Sequence, residues 1–342
     1  VSAADSSTSK IAFVTGGTGF IGSHLVEALL TSGYTEVRCL IRSTPKWLEG
    51  MDITPVEGDL GDVEVLWEAL RGVDYVYHVA GLTRAPTWEA FKRANVTATL
   101  NLMGAVKVAN PNVKRVLVTS SLAAVGRCES GLATEETPLS PISQYGKSKA
   151  EMEQALASPH QMRASYMETF PITIVRPPAV YGPREADIYT FFKTVSRGIC
   201  PVVGGKSSEP ALSLVHVDDL VHGMIAAAEH PQTAGETYFL GSTDFYSWQE
   251  IKHATTSALE SWAVTVPIPG PLVQSLGAIV ELGGKLMGQY PPLNREKARE
   301  IRFACTKCAI HKARRAFDYD PQVPLQDGIQ QTIDWYRNEG WL

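Results

Sequence analysis

Three glycines at a spacing of three, Gly16, Gly19 and Gly22, separate the apolar run Ile11-Ala12-Phe13-Val14 from an amphipathic stretch, His24 to Leu30, that Ser32 and Gly33 close. A short apolar run bounded by glycine reads as a strand buried on both faces of a parallel sheet. Glycine at these positions permits a tight turn, close approach of the backbone to a diphosphate, and close contact between helix and strand. The free N–H groups and positive dipole end of the following helix then face phosphate. Strand, Gly-rich turn and helix in that order predict a dinucleotide-binding α/β unit, and the rest of the chain is read against it.

With 342 residues the chain has material for one large domain or two modest ones. A net charge of −5 and the lack of any basic run argue against a nucleic-acid partner. No stretch reaches the roughly 20 uninterrupted apolar residues of a membrane span. Residues 1–9 are small and polar and read as a flexible leader outside the fold. Five cysteines, an odd number spread thinly, predict reduced thiols and a cytoplasmic location rather than a disulfide framework. Cys305 and Cys308 form a lone CxxC, too few ligands for zinc, so no metal site is expected.

Along the chain, strands are expected at Glu36 to Ile41, Ile53 to Val56, Asp74 to Val79, Val113 to Ser121 and Pro171 to Arg176, with helices between them. The second strand runs into Arg42-Ser43-Thr44-Pro45-Lys46. An acid there would select the free 2′-hydroxyl of NAD, and none is present. Arg42 and Lys46 instead offer positive charge to a 2′-phosphate, so NADP is preferred and NAD stays open. Asp59 either accepts a hydrogen bond from adenine or caps the next helix. His78 reads as a packed strand residue. Beyond Gly182 the alternation weakens, apart from a helix over Val217 to Glu229 and a returning strand near 238–240. The expected organisation is a doubly wound parallel α/β sheet (a Rossmann fold) over 10–182, with a smaller, partly interleaved substrate-binding portion over 183–342.

Tyr145 and Lys149 lie four residues apart on one helical face, after a fifth strand that ends in hydroxyls. Phenol, ammonium and serine form a workable acid/base set for hydride transfer. An alcohol loses its hydroxyl proton as hydride leaves carbon, or a carbonyl gains one as hydride arrives. Tyrosine alone is too weak at neutral pH. A neighbouring ammonium and the positive oxidised nicotinamide favour the phenolate. Lys149 also reaches the nicotinamide ribose, and Ser121 holds the substrate oxygen.

These motifs together resemble the extended short-chain dehydrogenases/reductases, over essentially Lys10 to Leu342. Thr15 to Gly22 matches TGxxGxxG, Asp59-Leu60 the adenine-side DL, and His78-Val79-Ala80-Gly81 the small-residue motif after a strand. Ser121, Tyr145 and Lys149 match the catalytic triad. Arg176 to Pro183 matches the segment that lines the nicotinamide, and His216-Val217-Asp218-Asp219 the element opening a later helix. The resemblance implies cofactor contacts from Gly16, Thr18, Gly19, Phe20, Ile21 and Gly22. It extends them to Arg42, Lys46, Asp59, Leu60 and to His78, Val79, Ala80 and Gly81. Thr119, Tyr145, Lys149, Pro177 and Val180 complete that set. Asn95 is implied as support for a proton-relay water, and Thr83, Tyr181, Arg184 and Phe192 as substrate neighbours. Ser121 is chosen by counting back from Gly126; Ser120 stays open.

Leu122 and Ala123 stand where the family's sugar 4,6-dehydratases carry an Asp-Glu pair, which speaks against that route. Arg42 is similar to the dihydroflavonol and cinnamoyl reductase branch. Tyr75 to Arg84 and Gly328 to Leu342 are similar to the 3β-hydroxysteroid dehydrogenase-like branch. The expected activity is interconversion of a secondary alcohol and a ketone on a steroid-, terpenoid- or flavonoid-like molecule. The alternatives are an NAD-dependent nucleotide-sugar epimerase, for which Arg127, Arg184 and Arg197 are candidate diphosphate contacts, and a non-catalytic dinucleotide sensor. The resemblance also implies a homodimer through the helices over 95–109 and 145–156. The apolar stretch Pro267 to Met287 leaves a substrate cover or a peripheral membrane contact open beside ordinary packing.

Overall fold

The computed structural model describes residues 9–159, 164–203, 210–268, 299–300 and 303–342. The first unit alternates strand and helix: β1 (Ile11–Thr15), α1 (Phe20–Thr31), β2 (Glu36–Ile41), β3 (Thr54–Glu57), α2 (Val63–Leu70) and β4 (Tyr75–His78). It continues through α3 (Trp88–Phe91), a π-helical stretch over Lys92–Thr97, α4 (Ala98–Ala109), β5 (Arg115–Thr119), α5 (Gln144–Ala157), α6 (Tyr166–Thr169) and β6 (Ile172–Arg176). Together with the later strand β10 (Glu236–Phe239) these strands form a seven-stranded sheet ordered β10-β6-β5-β4-β1-β2-β3. Every pairing in it is parallel. The order runs outward in both directions from the β1/β4 pair, so the carboxyl ends of those two strands flank the crevice where such sheets bind ligands.

Parallel strands buried on both faces need apolar residues throughout, and β5 and β6 are buried at all five positions each. One face packs Leu25, Val26 and Leu29 of α1 against Leu220, Val221 and Met224 of α8 (Val217–Glu229). The opposite face packs Leu66 of α2, Leu102, Met103 and Val106 of α4, and Met152 of α5. The returning strand expected near 238–240 is β10, in register with β6.

The remaining described elements are smaller. β7 (Ala179–Tyr181), β9 (Pro210–His216) and β11 (Phe245–Ser247) form a three-stranded sheet ordered β11-β9-β7, and β8 (Ile199–Val203) pairs with β12 (Val264–Ile268) in parallel. An aromatic core joins α7 (Tyr189–Ser196), α9 (Trp248–Ala258) and the final helix Leu325–Asn338 through Phe192, Ile251, Ile329, Ile333 and Tyr336. None of the described helices is long and apolar enough to cross a membrane. Of the apolar stretch 267–287, only residues 267–268 fall within the described residues.

The cysteine expectation is corrected. Cys128 and Cys305 form a disulfide 177 residues apart in sequence, while Cys39, Cys200 and Cys308 are free and buried. Odd number and wide spacing give no hint of a pair that only folding brings together. The same chain path hydrogen-bonds Cys305 N to Gly126 O at 2.7 Å and Ala133 N to Lys307 O at 2.8 Å. The cytoplasmic location argued from reduced thiols loses that support.

Candidate active site

Gly16 leaves β1 at φ +77°, and a Cβ placed on it would lie 2.5 Å from Ala80 N in the strand-end segment after β4. A Cβ on Gly22 would lie 2.1 Å from Gly16 O. Only glycine closes this turn, as the spacing predicts. α1 begins at N-cap Gly19 with no side-chain cap and no acid in its first turn. Its first N–H groups, those of Phe20, Ile21 and Gly22, are the ones an α-helix leaves without intrahelical partners. Thr18 is half-buried beside them. An uncapped helix start beside a glycine turn is an anion cradle.

Behind the turn, His78 is buried, its Nδ1 2.7 Å from Thr15 Oγ1 and its Nε2 2.8 Å from Thr99 Oγ1. Burial, with the nearby Lys149 charge, pushes its pKa down to about 3. The ring is a neutral tie between strand and helix. Val79 and Ala80 are half-buried and Gly81 is exposed at the crevice.

β5 ends at Thr119, and the chain turns through Ser121, whose Oγ accepts from Ala123 N at 3.1 Å and caps a short 3-10 turn. α5 starts at Ser143, which accepts from Gly146 N at 3.0 Å. Those two caps bring Ser121 and Tyr145 together, close enough for the serine hydroxyl to favour the phenolate. Burial pushes the Tyr145 hydroxyl up to about 12, opposed by Ser121 and reinforced by the negative charge of Glu300. One turn on, Lys149 is buried and donates from Nζ to Thr119 O at 2.7 Å. Burial brings its pKa down to about 8, against the pull of Glu153. Its ammonium stands 3.2 Å from where a Cβ on Gly81 would be, so bare backbone at 81 is what gives this amine room.

Asn95 lies in the π-helical stretch, buried, and bonds protein on every side. Its Oδ1 accepts from Leu82 N at 2.7 Å, and its Nδ2 donates to Leu82 O at 2.9 Å and to Ser148 Oγ at 2.8 Å. It struts the segment after β4 against α5. Thr119 Oγ1 is buried and finds no hydrogen-bond partner among the described residues. Glycine cradle, uncapped helix, buried amine and orphan hydroxyl converge at one sheet edge and fit a pyridine dinucleotide.

The more distant candidates divide. Arg42 and Lys46 are exposed at the end of β2, Lys46 at φ +52°. Asp59 is exposed and shapes its own turn, accepting from Gly61 N at 2.6 Å, while the N-cap of α2 is Asp62. Leu60 is half-buried, its carbonyl accepting from Asn101. Pro177 is buried and Val180 half-buried beside β6 and β7, and Thr83 is exposed.

Three of the expected substrate neighbours are held by the protein itself. Phe192 is 2% exposed in the aromatic core, and Tyr181 is buried against His216 at a ring separation of 5.3 Å. Arg184 donates to Ser23 Oγ at 3.0 Å and Glu27 Oε1 at 2.6 Å on α1, its guanidinium 5.5 Å from the Trp47 ring centre. Apolar pattern alone does not separate a core aromatic from a cleft aromatic.

Two features escape a motif reading. Glu153 continues the spacing of Tyr145 and Lys149 by four more residues, a signal present in the sequence, and pairs with Arg176. Arg84, just after Gly81, pairs with Asp187 after β7, bridging the two parts of the chain.

The sheet order, the glycine turn and the hydroxyl-bearing strand end define an extended short-chain dehydrogenase/reductase, an NAD(P)-dependent enzyme. Comparison with known proteins agrees. Residues 12–241 match the NAD dependent epimerase/dehydratase family, and the chain belongs to it. The chain is 30% identical to a ceramide reductase of Caulobacter vibrioides, over 96% of this chain and 95% of that one. It is 25% identical to a 2-alkyl-3-oxoalkanoate reductase of Shewanella oneidensis, over 94% and 84%. Among solved structures, dTDP-glucose 4,6-dehydratase from Streptomyces venezuelae with NAD bound superposes with a TM-score of 0.72 at 27% identity, over 97% of this chain and 98% of that one.

Proposed function

We propose that this enzyme reduces a ketone on a hydrophobic small molecule to the secondary alcohol, with Tyr145 as proton donor. The observation that carries the reading is the convergence of Ser121, after β5, and Tyr145, on α5, one helical turn from a buried lysine amine that donates to Thr119 O at 2.7 Å. A reduced nicotinamide dinucleotide, when bound, would supply the hydride for the carbonyl carbon. Ser121 holds the carbonyl oxygen in reach of the phenol, and Tyr145 delivers the proton that completes the alcohol. Lys149 lowers the cost of the phenolate left behind and binds the nicotinamide ribose.

Gly16, Gly19 and the first N–H groups of α1 would hold the diphosphate, and Val79, Ala80, Gly81, Pro177 and Val180 would line the rest of the dinucleotide. NADP is the preferred form, because Arg42 and Lys46 stand exposed where an acid would select NAD. Relatives named for ceramide and for 2-alkyl-3-oxoalkanoates favour a long-chain ketone. The sugar-nucleotide alternative is weakened by Arg184, whose guanidinium is held by Ser23 and Glu27.

The test is Tyr145→Phe, assayed by consumption of reduced cofactor with a 2-alkyl-3-oxoalkanoate and a long-chain keto-amide. Turnover is expected to fall by roughly a hundredfold or more while cofactor affinity stays within a few-fold. Unaltered turnover eliminates Tyr145 as the donor.

A further inference from the structure

Tyr145, Lys149 and Glu153 recur every fourth residue along α5 and share one stripe of it. Glu153 is buried in a polar network, at 5% exposure. Arg176, the last residue of β6 and also buried, donates to it from Nε at 3.0 and 3.2 Å and from Nη2 at 2.5 Å. Ser120 Oγ donates to the same carboxylate at close range. The main chain of Ser120 is pinned as well, N–H to Val175 O at 2.7 Å.

One carboxylate therefore ties together the three segments that carry the site. Ser121 follows Ser120, the Thr119 carbonyl receives the Lys149 ammonium, and Pro177 follows Arg176. With the Ser120 hydroxyl committed to Glu153, Ser121 is the serine left beside Tyr145. A buried ion pair is poor evidence of a stability role, since desolvation offsets most of the attraction and an apolar pair packs as well. What an apolar pair does not supply is negative charge near a buried amine.

We infer that Glu153 is a positioning residue for the proposed proton transfer: it fixes Ser121 and the Thr119 carbonyl against α5 and holds Lys149 in its ammonium form, touching neither substrate nor cofactor. This rests on the Ser121-Tyr145-Lys149 reading. The charged and titratable groups around Lys149 are His78 on β4, Arg176 on β6, Tyr145 and Glu153 on its own helix, and Glu300 beside Tyr145. His78 is neutral in its buried site and Arg176 is cationic, so neither retains a proton on the amine. Glu153 opposes the downward pull of burial on Lys149.

The experiment is fluorescence titration of the full chain with NADPH and NADH across a pH series. With Lys149 on the ribose, affinity weakens as the ammonium loses its proton, so the midpoint of weakening reports that group. Removing the neighbouring negative charge makes the ammonium less favourable, and Glu153→Gln is expected to move the midpoint down by about one pH unit. Glu153→Asp keeps the charge and returns the midpoint most of the way.

Glutamine leaves Arg176 buried and unpaired, so Glu153→Gln with Arg176→Met is run beside it, with a shift in the same direction expected. An unmoved midpoint in a folded Glu153→Gln or paired variant overturns the inference, including where only the melting temperature falls. A wild type that binds neither cofactor, or a Tyr145→Phe variant with full turnover, overturns the functional reading beneath it. Wild-type binding that weakens with pH, beside an unmoved variant, overturns the role of Glu153 alone.

Discussion

The crevice around α5 and the aromatic core under the final helix both hold helices in place, and they do so with opposite chemistry. At the crevice, position is set by polar struts between groups distant in sequence: Asn95 to Leu82 and Ser148, His78 to Thr15 and Thr99, and Glu153 to Ser120 and Arg176. In the aromatic core, rings pack on rings. Tyr189, Tyr336 and Trp341 lie 5.3 to 5.4 Å apart, and Phe192 lies 5.9 Å from Tyr336. Hydrogen bonds fix the direction of an atom, which acid/base chemistry needs. Ring packing fixes bulk, contributing burial and shape with little demand on direction. The two regions should therefore fail differently, one in binding and turnover, the other in stability.

The largest expected stability effect separates them most sharply. Phe192→Ala removes a buried ring beside Tyr336 and should cost about 3–5 kcal/mol, because the surrounding helices relax only partly into the space. Read by thermal and chemical melting, that loss should leave cofactor affinity at low temperature within a few-fold of wild type. A variant that keeps its melting temperature but loses substrate turnover would return Phe192 to the cleft and break the comparison.

Next in size is the Cys128–Cys305 disulfide, which joins the loop after Ser121 to the chain that follows residues 269–302. Cross-linking residues 177 apart constrains the unfolded chain, and Cys128→Ser should lower stability by about 2–4 kcal/mol. Wild type melted in a phosphine reductant should match the variant. Identical melting with and without reductant would show that the bond contributes nothing to holding this segment down.

How much of this is legible in the sequence follows the same division. The glycine turn, the parallel strands and the Tyr145/Lys149 pair are local patterns, fixed by sterics and helical spacing, and they read directly from 11–22 and 145–149. Glu153 is legible by the same spacing once Lys149 is recognised. Ser121 against Ser120 is legible only through the count back from Gly126; the physical reason, the Glu153 carboxylate drawing the other hydroxyl away, comes from another helix. Phe192, Tyr181 and Arg184 sit in a region of mixed loops and short helices, where an apolar or basic residue has no periodic context to say whether it meets a ligand, a ring or an acid on α1. The disulfide is the extreme case: its two cysteines share no local pattern, and only the completed chain path brings them together.

The smallest expected effect tests the most exposed part of the polar region. Among the described residues Arg42 makes no hydrogen bond or ion pair that its loss would disturb, and it is exposed at the end of β2, as Lys46 is beyond it. Arg42→Ala should thus leave melting unchanged, while NADPH affinity falls by roughly tenfold, the equivalent of about 1.4 kcal/mol for one charge-assisted phosphate contact. NADH, which lacks the 2′-phosphate, should bind the variant and wild type alike. Because the contact is solvent-exposed, the difference between the two cofactors should narrow as salt is raised. Equal loss for both cofactors would move Arg42 from the phosphate to the shape of the loop. No loss for either would leave the exposed lysine, rather than the arginine, as the group to vary next.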